Sequence, residues 1–388
     1  MAAKLPWESE EILSLRASVR EFTSKYVEPV ADKIDRENTV PEDLLRAGAD
    51  MGFWSMRVPE EYGGPGLGVL EAAITVEELS RASSGYALIA VVSGSMVVYP
   101  ILNYAGEEAR ERYLRKLAEG GIGAFALTEP CCGTDVAGLH MTRAWMEGGE
   151  WVVEGQKIFI TNSAYADFFI VAARTGKPEE RHRGITLFIV DRGPCVEVSK
   201  LDMMGYRGSG TGIVYFKGCR VPPENVLGEP GTAFKKVMMT LNEGRIVTSA
   251  SGLGVMQAAF DDALRYSMER ESMGRRLIEH QMVQSLIAEM AWRLETARLL
   301  VYTAAVKLDR GDADAPRYAS LAKLHTAQAG VDVVRMAMQV LGGIGYSRES
   351  RVERLYRDIK MVEIGDGTNE VQRMVIAKSY MGKIRMAK

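Results

Sequence analysis

The sequence contains few of the residues that build metal sites and disulfides. Only four cysteines and four histidines occur among 388 residues, and the histidines form no HExxH or paired pattern. The cysteines Cys131, Cys132, Cys195 and Cys219 lack metal-ligand spacing, and the two adjacent ones make a poor bridge. We therefore expect no catalytic metal, and a reducing, cytoplasmic compartment.

Excess charge and long apolar runs are also missing. The formal net charge of −3 shows no basic excess, which argues against a nucleic-acid partner. No apolar run is expected to reach the length of a membrane span, and the first residues lack the apolar core of a secretory signal. The 47% hydrophobic and 26% charged composition is typical of a soluble globular protein with up to three domains.

The pattern of apolar and turn residues changes twice along the chain and predicts three domains. Residues 1–123 have helical patterns, for example at 69–79 and 107–117. Residues 124–231 carry short β-branched or aromatic runs separated by turn residues, which predict an antiparallel barrel or sandwich. Residues 232–388 are helical again. We expect an α+β fold in which the middle domain separates two helical parts that pack together.

The helices of the third domain are long and rather apolar. Five residues of one of them follow the helical i, i+3, i+4, i+7 spacing: Val283, Leu286, Ile287, Met290 and Leu294. A second helix is expected to begin near Asp314 and end near Leu341, and the last helix to cover about 369–381. Part of this surface is expected to meet another subunit.

One acidic turn precedes that last helix. Asp366 lies between Gly365 and Gly367, and Thr368 follows. Glycines on both sides permit unusual backbone angles and the close approach of a ligand. Asp366 or Thr368 can cap the helix, or the Asp366 carboxylate can reach into a pocket as a base. The stretch alone leaves both readings open.

An ordered set of motifs spans essentially the whole chain and resembles the acyl-CoA dehydrogenase family. The set lies at 126–130, 133–138, 160–162, 204–209, 221–222, 225–228, 241–245, 270–274, 281, 339–343, 352–354, 357–358 and 366–368. The resemblance implies an N-terminal helical domain, a middle β-barrel and a C-terminal four-helix bundle. It also implies non-covalently bound FAD, a homotetramer, and an electron-transfer flavoprotein as electron acceptor.

The same resemblance assigns the cofactor-binding positions. Leu127 and Thr128 match the family residues that contact the pyrimidine edge of the flavin, and Thr161 matches the residue whose hydroxyl contacts N5. Phe159 matches an aromatic residue, often Trp, that lies against the ring. Arg270 matches a position that binds FAD across a subunit interface, and Met273 stands where Phe is common. The full set of expected FAD-binding residues is Phe125, Leu127, Thr128, Thr134, Phe159, Thr161, Arg270, Ser272, Met273, Gln281, Gln339, Gly342, Gly343, Thr368 and Glu370.

The substrate side follows from the resemblance as well. Arg245 matches the family arginine that binds part of CoA, with Asn242, Thr134 and Gly367 as further substrate-binding residues. In the family a carboxylate removes the thioester α-proton while flavin N5 accepts the β-hydrogen as hydride. Cys131–Cys132 replaces a small Gly/Ala-like pair and is interpreted as filling space in a loop.

Asp366 matches the usual catalytic glutamate. A minority of relatives carry the base at the position of Gly244, and Glu243 is one residue away from it. Asp is shorter than Glu by one methylene, about 1.5 Å. Because a misplacement near 1 Å can reduce a rate about a hundredfold, we expect Asp366 to act in a reshaped pocket. A short, branched or alicyclic acyl group is one substrate that such a pocket accommodates.

Part of the sequence near Ser84 resembles the glutaryl-CoA dehydrogenase branch of the family. Ala87 replaces the substrate-binding Arg of that branch, so a dicarboxylate substrate is disfavoured.

Three alternative functions share this fold. Nitroalkane oxidases use Asp at the base position, and acyl-CoA oxidases are a second oxidase class. A non-catalytic flavin-binding or assembly protein is the third alternative. Retention of Arg245 and Thr134 favours the dehydrogenase.

Overall fold

The structure, a computed structural model, describes residues 5–386. Its N-terminal part is helical, as predicted. The helices are α1 (Glu10–Phe22), α2 (Ala31–Glu37), α3 (Glu42–Asp50), α4 (Val69–Ser80), α5 (Ser84–Val91), α6 (Val98–Tyr104) and α7 (Glu107–Ala118). The predicted runs at 69–79 and 107–117 correspond to α4 and α7. Val19 and Phe22 of α1 are buried, whereas Leu13 is 53% exposed and faces away from the core.

The expectation that no apolar run reaches membrane length is wrong. A π-helical stretch, Val92–Val97, joins α5 to α6, so that Ser84–Tyr104 forms 21 helical residues with a mean hydropathy of 1.8. Within the described residues this is the one helix long and apolar enough to cross a membrane. Of its apolar 18-residue window, 89% is buried inside the protein, which is the environment of a core helix.

The middle part is a curled sheet of seven strands. They are β1 (Gly123–Ala126), β2 (Arg143–Glu147), β3 (Glu150–Ile160), β4 (Phe168–Arg174), β5 (Ile185–Asp191), β6 (Val196–Lys200) and β7 (Gly212–Val221). The strand order is β1-β4-β2-β3-β7-β6, with β5 paired to β4. The sheet is mixed and not wholly antiparallel as predicted, because β4 pairs in parallel with β1 and β2.

Central strands of this sheet are covered on both faces. In β4, Phe168 and Ile170 pack into the core shared with the helices, while Phe169 and Val171 belong to the inner core of the sheet. Alternate residues of a strand point to opposite faces, so a strand buried on both sides is apolar throughout. The sheet thereby presents one edge and one face to the helical parts.

Strand β3 is one strand, although Glu154–Gly155 is one of the pairs that separate the short runs predicted in this part of the sequence. Gly155 has φ 143°, and the register against β7 shifts between Val153 and Gly155. A Cβ at Gly155 would lie 2.4 Å from the Met141 carbonyl oxygen. The glycine therefore makes a bulge where another chain segment comes close, and the strand continues beyond it.

One disulfide was missed from sequence. Cys195 and Cys219 are bonded, with Cα atoms 5.3 Å apart, beside the antiparallel pairing of β6 and β7. The two residues are 24 positions apart in sequence, and only the strand pairing brings them together. The cytoplasmic location stays a prediction, but the cysteines no longer support it.

The C-terminal part is again helical, as predicted. Its helices are α8 (Ala233–Glu269), α9 (Gln281–Asp309), α10 (Ala315–Leu341), α11 (Arg351–Val362) and α12 (Asn369–Met386), with a hairpin of β8 (Glu271–Ser272) and β9 (Arg275–Arg276) after α8. Helices α8, α9 and α10 pack on one another, and α11 and α12 pack on α10.

The two helical parts pack together, as expected. Helix α8 lies against α4, where Ser80 and Ser251 share a hydrogen bond of 2.8 Å. A Cβ at Gly254 would lie 2.2 Å from the Glu77 carbonyl oxygen. The absence of a side chain at Gly254 therefore permits the close approach of the two helices. This packing positions α8 beneath the turn that carries Asp366.

Candidate active site

Asp366 lies on the turn between α11 and α12. Its φ of 51° is left-handed, and Gly367 follows with φ 91°. The N–H of Val371 donates to the Thr368 hydroxyl at 3.4 Å, so Thr368 caps α12. Of the two sequence readings of this turn, the capping role falls on Thr368, and the Asp366 side chain is available for another role.

The Asp366 carboxylate points towards α8. The Thr248 hydroxyl donates to Asp366 Oδ2 at 2.5 Å. Within the described residues, Asp366 Oδ1 has no hydrogen-bond partner, and neither has the Asp366 backbone N–H. One residue thus presents a free carboxylate oxygen and a free backbone donor.

The backbone around Asp366 is fixed by three side chains. Gln372 Nε2 donates to the carbonyl oxygens of Asp366 and Gly367 at 3.2 and 2.9 Å. Lys323 Nζ donates to the Gly367 oxygen at 2.7 Å, and Arg245 Nε to the Asp366 oxygen at 3.4 Å. These donors come from α12, α10 and α8, and together they hold the left-handed turn in place.

Two buried cations adjoin the carboxylate. Arg245 is 5% exposed and donates to Asn242 Oδ1 at 2.9 Å; burial lowers the pKa of its guanidinium. Lys323 is wholly buried, and burial lowers its pKa to about 8 although Asp366 opposes the shift. In the part of the chain that the structure describes, neither forms a salt bridge. Two buried cations beside one carboxylate leave an excess of positive charge, which suits an anionic or strongly polar ligand.

The alternative base position on α8 is closed. Glu243 is buried and accepts bonds from Arg57 Nε at 3.1 Å and from the Ser95 hydroxyl at 2.5 Å. A Cβ at Gly244 would lie 3.1 Å from Met96. Glu243 is therefore held as a paired carboxylate, whereas Asp366 keeps a carboxylate oxygen that has no hydrogen-bond partner among the described residues.

The positions matched to the flavin ring edge come together at one end of the sheet. Ile158 N–H donates to the Thr128 oxygen at 2.9 Å, and Lys157 Nζ to the Leu127 oxygen at 2.9 Å. These bonds place the loop after β1 beside Phe159 and Thr161. Phe125, in β1, is buried just before this loop.

Phe159 combines a left-handed backbone with an exposed aromatic ring. Its φ is 58° and its side chain is 56% exposed. The Thr161 hydroxyl lies 3.5 Å from the hydroxyl of Thr211. An aromatic ring held outward by a left-handed backbone, beside a hydroxyl, forms a flat surface for a planar ligand.

The remaining FAD-matched residues lie on other elements. Arg270, Ser272 and Met273 belong to the exposed β8–β9 hairpin, and Met273 is 91% exposed with φ 54°. Thr134 lies in the loop between β1 and β2, and Thr368 and Glu370 lie at the start of α12. The exposed residues Gln281, Gln339, Gly342 and Gly343 lie at the start of α9 and the end of α10. Among the described residues, no hydrogen bond joins the hairpin to the Asp366 turn.

The structure also brings Cys131, Cys132 and His140 together, which the sequence spacing did not indicate. Each Sγ lies within 4.0 Å of His140 Nδ1, and the two sulfurs are 2.6 Å apart. Two thiolates on one tetrahedral zinc lie roughly 3.8 Å apart, given Zn–S bonds near 2.3 Å. His140 Nδ1 also lies 2.9 Å from the Gly138 carbonyl oxygen. The cluster therefore lacks the geometry of a zinc site.

Sequence reasoning did not find Thr248, Lys323 or Gln372. Lys323 carried one signal, since it is the cation within the run of apolar and small residues at 319–324 of α10. Thr248 carried none, because Ser249 and Ser251 beside it look equivalent. Only the packing of α8 against the turn separates them.

Comparison with known proteins decides the family. Sequence models of the acyl-CoA dehydrogenase N-terminal, middle and C-terminal domains match residues 9–121, 124–219 and 232–381. The chain belongs to the acyl-CoA dehydrogenase family. The acyl-CoA dehydrogenases are oxidoreductases that act on CH–CH groups, and this assignment agrees with the resemblance read from the motifs.

Similar acyl-CoA dehydrogenases align over nearly the whole chain. The mitochondrial short-chain specific acyl-CoA dehydrogenase of Mus musculus is 39% identical over 374 residues, 96% of this chain and 90% of that protein. Butyryl-CoA dehydrogenase from Megasphaera elsdenii superposes with a TM-score of 0.94 at 36% identity, covering 98% and 100% of the two chains. A chain from the structure of the electron transferring flavoprotein of Acidaminococcus fermentans superposes with a TM-score of 0.93 at 36% identity. The match covers 98% of this chain and 99% of that chain.

Family members are flavoproteins that bind FAD, and this chain fits the cofactor. Phe159 offers an exposed aromatic face beside the Thr161 hydroxyl. A Cβ at Gly133, Gly342 or Gly343 would meet no atom within 4 Å. A flat surface, hydroxyl donors and open glycine backbone are what a flavin ring and its phosphates require.

Proposed function

We propose that this acyl-CoA dehydrogenase uses FAD to convert a short, branched or alicyclic acyl-CoA thioester into the 2-enoyl-CoA. One observation carries the proposal. Asp366 presents a free carboxylate oxygen and a free backbone N–H on a turn fixed by Gln372, Lys323 and Arg245. The relatives named for short-chain and butyryl substrates support a short acyl group.

Asp366 supplies both functions that removal of the α-proton needs. Its Oδ1 accepts the proton, and its backbone N–H donates to the thioester oxygen, where negative charge develops. Bound FAD would supply the two-electron acceptor for the β-hydrogen, which leaves as hydride. Leu127, Thr128, Phe159 and Thr161 would hold the flavin ring.

The CoA portion would be held on the α8 side of the turn. Arg245 is buried, and Asn242 orients its guanidinium. A buried guanidinium with unused donors favours carbonyl or phosphate oxygens of the ligand. Thr134 and Gly367 would complete the substrate contacts.

The shorter acid favours acyl groups with bulk near the α-carbon. Replacing Glu by Asp withdraws the carboxylate by about 1.5 Å and leaves room for a branch or ring. Ala87 is buried and apolar and offers no cation for a second carboxylate, so a dicarboxylate substrate is disfavoured.

The proposal includes three further properties. The protein is a homotetramer, it passes electrons to an electron-transfer flavoprotein, and it works in the cytoplasm. The similarity to a chain from the Acidaminococcus fermentans study supports the second property.

The test is anaerobic flavin bleaching by a panel of straight, branched and alicyclic acyl-CoAs. We expect the parent to be bleached and Asp366→Asn to lose at least a thousandfold in rate, because the amide cannot accept the proton. Glu243→Gln is the matched control and should stay within tenfold of the parent. Unchanged bleaching by Asp366→Asn would refute the assignment of the base.

The same preparation separates the alternatives. Rapid oxygen consumption with acyl-CoA would indicate an acyl-CoA oxidase. Peroxide formation with nitroethane in the absence of CoA would indicate a nitroalkane oxidase. A protein that binds FAD but is bleached by no acyl-CoA would indicate a non-catalytic role.

A further inference from the structure

Thr248 differs from Thr240 and Ser249, two other hydroxyl residues of α8. Thr240 and Ser249 donate to the carbonyl oxygens of Lys236 and Arg245, one turn earlier in the same helix. Such bonding is the usual choice for Ser and Thr inside a helix. Thr248, although wholly buried, donates instead to Asp366 Oδ2 at 2.5 Å, across to another element.

This bond divides the carboxylate into two unequal oxygens. Oδ2 is held by Thr248, whereas Oδ1 has no partner among the described residues. The turn itself is fixed through its carbonyl oxygens, and those bonds leave the side-chain torsions free. Thr248 is therefore the one described side chain that hydrogen-bonds the carboxylate, and this bond restrains where Oδ1 points.

We propose that Thr248 is a positioning residue for the base, which holds Oδ2 so that the short Asp366 side chain directs Oδ1 at the substrate α-carbon. The inference rests on the proposed function. A hydroxyl from α8 restrains a carboxylate that is one methylene shorter than the usual base. Loss of that restraint leaves a base that samples unproductive rotamers.

The charged and titratable groups nearest to Asp366 are Arg245 on α8, Lys323 on α10 and Tyr206 before β7. Glu363 and Glu370 act on Lys323 in turn. All of them are retained in a Thr248 variant, so a change in the rate of proton removal would report the lost hydroxyl.

The experiment compares Thr248→Val, Thr248→Ser and Thr248→Ala in FAD-loaded protein. We expect Val and Ala to lower the rate of flavin reduction roughly ten- to a hundredfold. Ser should stay near the parent. Ser249→Ala is the matched control, because that hydroxyl donates to a carbonyl oxygen of α8 itself, and it should leave the rate unchanged.

A second readout follows the proton alone. A 3-thia-acyl-CoA has sulfur at the β-position, so it can lose its α-proton but cannot release hydride. We expect exchange of its α-hydrogen in D2O to slow in Val and Ala by the same factor as reduction. If Val fails to hold FAD or to fold, the Ser and Ala pair makes the same comparison.

One result is decisive against the inference, and another against the function on which it rests. Ser and Ala variants with equal rates of flavin reduction and of α-hydrogen exchange would show that the hydroxyl has no role. A parent that no acyl-CoA bleaches would instead refute the proposed dehydrogenase. Failure of the inference is therefore distinguishable from failure of the proposed function.

Discussion

Asp366 occupies a backbone conformation that residues with a side chain rarely adopt. Seven described non-glycine residues have positive φ, and Phe159, Met273 and Asp366 are three of them. Such conformations are unfavourable by on the order of 1–3 kcal/mol each and persist where neighbours enforce them. Three of the seven therefore lie at the surfaces assigned to cofactor and substrate, where a backbone shaped for a ligand is expected.

The buried Lys323 leads to a prediction about how the free energy of unfolding depends on pH. Its pKa in the folded protein is lowered to about 8 from 10.5, so the unfolded chain binds more protons between these values. Stability therefore rises with pH through this window, and the penalty of the buried charge is fully present below it. For the parent relative to Lys323→Met, we expect a gain of up to about 3 kcal/mol between pH 8 and 10.5.

Urea unfolding of the FAD-loaded proteins at several pH values measures this difference. Lys217→Met is the control, because Lys217 forms an exposed pair with Glu197. The control should follow the parent throughout the window. Parallel curves for the parent and Lys323→Met would contradict the lowered pKa.

At this scale the sequence predicted residues for the chemistry but not the residues that hold them in place. Asp366, Arg245 and Asn242 lie together as the motifs indicated. Thr248 and Lys323 reach the turn from helices 118 and 44 residues away in sequence. Their roles depend on how α8 and α10 pack, and no local pattern encodes that packing.

Among the elements, β3 and the loop after β1 are joined by a buried ion pair. Lys157 Nζ lies 2.9 Å from Glu129 Oε1, and both side chains are wholly buried. Glu129 also accepts from the backbone N–H groups of His140, Met141 and Thr142. Burial opposes the ionised form of Glu129, but Lys157 and these donors prevail and lower its pKa to about 2.

Removal of the Lys157 charge should therefore destabilise the folded protein. Lys157→Met leaves Glu129 buried without its counter-charge, and we expect a loss of about 3–5 kcal/mol. Lys217→Met, which breaks an exposed pair, should change stability by less than about 1 kcal/mol. Urea unfolding of both variants measures the contrast. Equal small losses would mean that the buried pair contributes no more than a surface pair.

The sequence predicted elements where apolar residues dominate and missed them elsewhere. The runs within β3, β4, β5 and β7 are apolar and β-branched, and the structure confirms strands there. Strand β1 is only Gly123–Ala126 and has no β-branched residue, while β2 and β6 are largely exposed and polar. Such strands form because neighbours pair with them, which local propensity does not reveal.

In the whole molecule, large apolar side chains remain exposed on the C-terminal helices and hairpin. Met273, Met282 and Tyr346 are 91%, 84% and 87% exposed, and Trp292 is 49% exposed. Exposed apolar surface of this extent marks interaction sites. It supports the proposed homotetramer, in which the β8–β9 hairpin would reach a neighbouring subunit.

Arg270 tests that arrangement. In a tetramer that shares its FAD sites, Arg270→Ala should raise the FAD dissociation constant roughly ten- to a hundredfold, because a charge-assisted bond contributes about 1.5–3 kcal/mol. Arg275→Ala, on the same exposed hairpin, is the control and should retain FAD. Flavin fluorescence on dilution and native mass measure affinity and assembly. Equal retention in both variants would argue against an FAD contact by Arg270.

The apolar helical segment Ser84–Tyr104 has a consequence for synthesis on the ribosome. Helix α8 and strand β1 pack on it in the finished protein, and α8 ends only at Glu269. At about 5 to 20 residues per second, translation leaves the segment uncovered for on the order of ten seconds or longer. A nascent chain with a buried-type helix of membrane-span length exposed for that time is a client for chaperones that bind apolar segments. Arrest of translation before α8 is complete should yield an aggregation-prone fragment.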